Sequence, residues 1–184
     1  DKGYNIETAG QKSYNGVAIL SKSPIEVDLR ALPGDPEDEQ ARYIEAFTGG
    51  VRVASIYLPN GNPTDGPKYP YKLAWMERLY TRAKDLIVDE MPALMAGDYN
   101  IIPQIEDAAR PDVWREDALF RPESREAYRR VLNLGFTEAF RSYPRPSSAC
   151  VPRNPPYALL RLTYKFLLLS YFKLFKCQRT FAYK

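Results

Sequence analysis

Apolar and polar positions follow two rhythms along the first 141 residues of this chain. Short apolar runs bounded by turn residues predict buried strands at 16–21 (GVAILS), 43–47 (YIEAF), 51–58 (VRVASIYL) and 92–97 (PALMAG). The runs 43–47 and 51–58 flank Thr48-Gly49-Gly50, where glycine takes positive φ without steric cost, so they form a hairpin. Its second strand is apolar on nearly both faces and belongs in the middle of a sheet. Leu73, Met76, Leu79, Tyr80, Ala83, Leu86 and Ile87 recur at three and four residues and predict one helix over 72–88. A second helix is predicted over 122–134, with Pro122 in its first turn and Gly135 just past its end. Residues 32–40, rich in acids and proline, read as a solvated loop, and 59–67 carry too much Pro and Gly to join either neighbour.

The succession strand, loop, helix, strand from 51 to 97 is a crossover unit, right-handed when its strands are parallel. Both strands then end on one edge of the sheet, which brings Tyr57 and Asp98 to one site. Ligands of such sheets bind in the crevice outside the carboxyl ends of the strands.

Composition narrows the chemistry. The chain has 184 residues, 45 % hydrophobic and 27 % charged, which suits one globular domain and excludes a disordered or disulfide-stapled polypeptide. It contains no histidine, so any reaction it performs alone lacks an imidazole base or a His-ligated zinc. Its net charge of +3 conceals a split: residues 1–141 hold all 23 acids and sum to −5, whereas 142–184 hold none and sum to +8. A boundary near Arg141 follows, separating a domain over 1–141 from a basic tail over 142–184, Pro-rich and then apolar. The chain opens on Asp1 without an apolar leader, and its run 166–172 is far short of the roughly 20 residues that span a bilayer. A monomer in the cytoplasm, with no membrane span, is the expectation. Leu, Phe, Arg and Lys interleave over 157–184, which reads as a helix patching exposed apolar surface, as an interfacial helix, or as accidental hydrophobicity.

Several polar residues carry a double reading. Asp98 and Asn100 flank Tyr99 after a buried strand, where alternation points both side chains one way; they suit a hard cation or a phosphate, or form an ordinary Asx turn. Tyr57 is core packing at a strand end or a phenol aimed at phosphate. Asn60 and Asn62 lie in a turn signature before they are anything else. Lys68 and Lys72, one helical turn apart, hold a polyanion or are simply solvated. Arg42 and Asn15 allow a phosphate contact or a local structural role.

Together these residues match a family. The segments 10–21 (GQKSYNGVAILS), 40–45 (QARYIE), 57–61 (YLPNG), 68–72 (KYPYK) and 96–103 (AGDYNIIP) resemble bacterial exodeoxyribonuclease III in order and spacing, and 114–119 and 122–141 also look like the family. The resemblance covers roughly 1–141. It implies the endonuclease/exonuclease/phosphatase superfamily, with an α/β fold described as a four-layered sandwich of two mixed β-sheets flanked by helices, here incomplete at both ends. It further implies Mg²⁺-dependent hydrolysis of DNA phosphodiesters, with Mn²⁺ as a substitute, on duplex, abasic or 3′-ended DNA, and hence a role in DNA repair. Asp98 would activate the attacking water, Asn100 would position the phosphate and share the metal with Asp98, and Tyr57 would match the active-site tyrosine. Asn15, Arg42, Asn60, Lys68 and Lys72 would contact DNA.

The pattern also departs from the family. Its Asn and metal-ligating Glu on earlier strands, and its terminal Asp-His pair, have no counterpart here, and residues 160–170 only faintly echo its penultimate strand, an echo read as coincidence. A second reading is therefore a truncated or frame-shifted, inactive fragment with at most weak DNA binding.

Overall fold

The computed structural model describes residues 2–142 and a strand at 158–162. Along the chain lie β1 (Asn5–Ala9), β2 (Val17–Ser21), β3 (Glu26–Leu29), β4 (Tyr43–Thr48), β5 (Val51–Tyr57), α1 (Lys68–Val88), β6 (Ala93–Asp98), α2 (Pro122–Asn133), β7 (Phe136–Glu138), the short α3 (Ala139–Ser142) and β8 (Ala158–Leu162). Six strands form one mixed sheet in the order β3-β4-β5-β6-β8-β7, and β1 pairs with β2 in a separate antiparallel sheet. Only β5 and β6 run parallel among the described pairs; α1 is their crossover.

Local sequence explains most of these elements. Gly49 and Gly50 adopt φ of 58° and 81°, the two positive values that a two-residue hairpin turn matched to strand twist requires. α1 begins at Lys68, one turn earlier than its apolar stripe predicts. Pro70 does not prevent this, because the first-turn amides have no intrahelical acceptor to lose. The buried face of α1 holds Lys72, Trp75, Met76, Leu79, Ala83 and Leu86. Gly135, at φ 117°, ends α2 as expected.

The large sheet is covered on both faces. On one, α1 and α2 bury Tyr43, Ala54, Ile56, Ala93 and Met95 together with Trp75, Leu79, Tyr128 and Val131. On the other, Ala9 and Ile19 of the β1–β2 pair pack on Ile44, Ala46 and Val53. This is the expected α/β sandwich, with three layers among the described residues and with a second sheet that is antiparallel rather than mixed. β1, β3 and β7 are not predicted by the apolar pattern, because they are short edge strands whose residues are largely exposed or half-buried. β8 falls beyond the boundary drawn at Arg141: the backbone of 158–162 lies between β6 and β7, antiparallel to both. The helix read into 157–184 otherwise lies outside the described residues, as does the Pro-rich segment before it.

A buried charge cluster ties α1 to the sheet. Glu45, with no exposed surface, accepts hydrogen bonds from Arg82 Nε at 3.0 Å and Nη2 at 2.6 Å, from Arg52 Nη1 at 3.2 Å, and from the Tyr43 hydroxyl. Burial would raise the Glu45 carboxyl, but the Arg82 fork, the Tyr43 hydroxyl and Arg52 outweigh it and hold the group below its ordinary value. Its stabilisation is thus complete above the unfolded value of about 4.3 and is lost as the pH falls through the lower folded value. Glu45→Ala, which strands these donors, is expected to cost about 3–5 kcal/mol in urea unfolding. Stability of Glu45→Gln is expected to fall less steeply than that of the wild type as the pH drops below about 4, the part owed to Glu45 being gone.

Candidate active site

Three strand ends meet at one edge of the sheet. β5 and β6 pair in parallel with Tyr57 opposite Asp98, and the ladder continues through Leu58 N–H to Asp98 O at 2.8 Å. β4 is antiparallel to β5 and so starts where β5 stops; Tyr57 N–H donates to Arg42 O at 2.8 Å. Tyr43 and Ile56 face the helices, so alternation turns Arg42 and Tyr57 to the opposite face, and register places Asp98 with Tyr57. The close approach needs Gly97: at φ 147°, a Cβ there would lie 1.9 Å from Ile56 O.

The segment beyond Gly97 folds back on itself. Asp98 Oδ1 accepts the Asn100 N–H at 2.9 Å, and Asn100 takes the left-handed φ of 44°. The buried Asn100 amide donates from Nδ2 to Leu58 O at 2.8 Å, while its Oδ1 receives Asn60 Nδ2 at 3.4 Å. Asn60 in turn caps Asn62 N–H at 3.1 Å. The Asx turn and the clustered site are therefore one arrangement, since the turn is what gathers Asp98, Asn100 and Asn60.

A row of side chains leads away from Tyr57. The Arg42 guanidinium lies 4.9 Å from the Tyr57 ring centroid, with Nη1 on Tyr57 O at 3.2 Å and Nε on Gln40 Oε1 at 2.8 Å. Gln40 Oε1 also receives Asn15 Nδ2 at 3.3 Å, and the same amide reaches Gln11 Oε1 at 3.3 Å. Gln11 Oε1 accepts Ala41 N–H at 2.9 Å. The loop that carries Gln40 is fixed from α1, where Arg78 Nη1 and the Tyr71 hydroxyl hold Asp38 at 2.7 and 3.0 Å. Gln11, Gln40 and Asp38 are supports that the sequence reading missed; an amide in a turn gives no pattern of its own.

Lys72 requires a correction. It has no exposed surface, so it cannot lie against a DNA backbone. Its Nζ donates inward to Asn100 O at 2.6 Å and Asn60 O at 3.1 Å. Burial pushes this amine down to about 7 against the opposing pull of Asp117 and Asp98. Its spacing of three and four from the buried Trp75 and Met76 is the signal that could have found it. Lys68, four residues earlier, is exposed.

Desolvation by the surrounding protein raises the Asp98 carboxyl above its ordinary value, although the Asn100 N–H, Lys72 and Arg42 all pull it down. A carboxylate so placed is a stronger base than a free one. Asp98 is exposed, and its Oδ2 has no hydrogen bond among the described residues. That oxygen fits a hard cation, which takes one or two carboxylates and fills its shell with water and substrate oxygens; Asn100 Oδ1, two residues on, is a second oxygen that such a cation accepts. No cluster of three or more acidic, thiol or imidazole groups that could hold a metal exists among the described residues.

A model of the endonuclease/exonuclease/phosphatase family matches residues 2–158. The chain belongs to this family. It is 33 % identical over 154 residues to exodeoxyribonuclease III of Haemophilus influenzae, covering 76 % of this chain and 56 % of that one. Among solved structures it superposes on an AP endonuclease from Archaeoglobus fulgidus with a TM-score of 0.74 and 32 % identity, covering 86 % of this chain and 66 % of the other. It superposes on a Neisseria 3′ phosphatase bound to a product DNA hairpin with a TM-score of 0.72 and 30 % identity, covering 87 % and 67 %. The chain spans about half the length of the curated relatives it matches. Family membership places it with nucleases and phosphatases, which are hydrolases.

Gly97→Ala forces a methyl group into Ile56 O and is expected to part β5 from β6 at their ends. Its unfolding midpoint should fall, with amide exchange at Leu58 and Asn100 rising more than at the far ends of the same strands.

Proposed function

We propose that this chain carries part of the active site of an exodeoxyribonuclease III-like phosphodiesterase of DNA repair, dependent on Mg²⁺ or Mn²⁺, that trims 3′ ends of duplex DNA and cuts beside abasic sites. The observation that carries the reading is the meeting of Arg42, Tyr57, Asp98 and Asn100 at the carboxyl edge of β5 and β6. The named activities of the relatives and the DNA hairpin bound by the Neisseria neighbour support it.

In this reading a phosphodiester lies over the strand ends. Arg42 supplies positive charge and Tyr57 a hydroxyl toward its oxygens, while Asn60 and the exposed Lys68 hold the flanking backbone and Asn15 contacts it from the loop before β2. Asp98 takes the proton of the attacking water as the new P–O bond forms, and the bond to the leaving sugar oxygen breaks on the opposite side, that oxygen taking a proton from solvent to leave as a hydroxyl. Asn100, fixed through Leu58 O, orients the phosphate. A divalent cation held through Asp98 and Asn100 would supply charge neutralisation at the phosphoryl oxygens.

The test is cleavage of abasic and 3′-recessed duplexes by the purified chain with Mg²⁺. EDTA-sensitive cleavage that drops about 10²–10⁴-fold in Asp98→Ala is expected from losing a general base. No EDTA-sensitive cleavage by folded protein would overturn the reading in favour of an inactive fragment.

A further inference from the structure

Lys72 combines full burial, a charge-bearing group and two hydrogen bonds aimed at one place, and none of these serves the helix it belongs to. Its stem lies on the same face of α1 as Trp75, Met76 and Leu79, where an apolar residue would pack. Its Nζ bonds neither carboxylate nearby but the main-chain carbonyls of Asn100 and Asn60, at 2.6 and 3.1 Å. These belong to the two loops that leave β6 and β5, forty residues apart in sequence. The loop after β5 is moulded on the lysine: Gly61, at φ 90°, passes so near that a Cβ would sit 2.7 Å from Lys72 Cδ. Asn100 takes the left-handed region, which asparagine tolerates better than other non-glycine residues, and the Asp98 carboxylate caps its N–H there at 2.9 Å.

We propose that Lys72 is a positioning residue, an internal peg that sets the distance between the Asn60 and Asn100 loops and so aims Asn60, Asn100 and the Asp98 carboxylate at a common point. A donor on a rigid helix reaches both loops at once, whereas the bonds between the loops themselves, Asn60 Nδ2 to Asn100 Oδ1 at 3.4 Å and Asn100 Nδ2 to Leu58 O at 2.8 Å, tie them to each other and leave them free to shift together. The helix is itself fixed to the sheet through Arg82 and Glu45, so the peg transmits the position of the core to the site. The consequence for catalysis rests on the phosphodiesterase reading; the effect on the loops does not.

Lys72→Met keeps the stem and removes both donors. In the full chain it is expected to fold, with protected amides along α1. Hydrogen exchange at Asn62 and Asn100, whose N–H groups are capped by Asn60 and Asp98, should rise at least tenfold, and the Asn60 and Asn100 side-chain amide resonances should move. Where the wild type cleaves DNA, kcat should fall about 10²-fold with KM nearly unchanged, the mark of misplaced reacting groups. Unchanged exchange and unchanged amide resonances in a folded variant would overturn the proposal. Failure of both Lys72→Met and Lys72→Gln to fold would overturn it too, by making the lysine a requirement of the core. Altered exchange in a protein whose wild type cleaves no DNA would leave the peg standing and remove the phosphodiesterase reading.

Discussion

The parallel contact between β5 and β6 is the constraint from which the site follows. Two parallel strands finish on the same edge, and Gly97 lets the second come so close to Ile56 that the ladder runs on to Leu58. A side chain at position 97 would push the strands apart at the point where Tyr57 stands opposite Asp98. The helix between them is long because it must return the chain to the start of the sheet, and its burial against Ala54, Ile56 and Met95 fixes the spacing of the pair. Without this crossover the tyrosine and the aspartate, forty-one positions apart, would have no common surface.

Two buried polar groups on α1 and the sheet show different uses of charge. Glu45 is surrounded by donors that match its oxygens, and the resulting cluster with Arg82, Arg52 and Tyr43 holds helix to sheet. The donors on Glu45 offset the cost of burying its charge, while Arg52 Nε stays buried without a partner among the described residues. Lys72 is compensated less well: an ammonium has three N–H groups, and the two carbonyls on it are neutral. The same burial that depresses its pKa marks a place where the fold accepts a cost close to the candidate chemistry.

Much of this was legible in the sequence, and the exceptions have physical causes. The hairpin at Gly49 and Gly50, the crossover helix and the shared edge of Tyr57 and Asp98 follow from periodicity and turn chemistry, which are local signals. β1, β3 and β7 were illegible because an edge strand of three to five residues needs neither alternation nor a continuous apolar run. Lys72 was misplaced because residue type outweighed position: a lysine on an apolar helix stripe reads as solvated until its partners are known. The amide row from Gln11 to Arg42 was half legible, since Asn15 and Arg42 stood out by charge or turn position while Gln11 and Gln40 did not.

The turn at Asp98 illustrates why the structural and functional readings of a polar residue need not compete. An Asx turn consumes one carboxylate oxygen, Oδ1, to fix the following backbone. That bond leaves Oδ2 available and fixes its direction, because the carboxylate can no longer rotate about its own axis without breaking the turn. Asn60 repeats the device, spending Oδ1 on Asn62 N–H while its Nδ2 reaches Asn100. Arg42 does the same on a larger scale, with Nε and one Nη bound to Gln40 and Tyr57 while the guanidinium sits over the tyrosine ring. In each case part of a side chain serves the local fold, and that service aims the remainder at the strand ends.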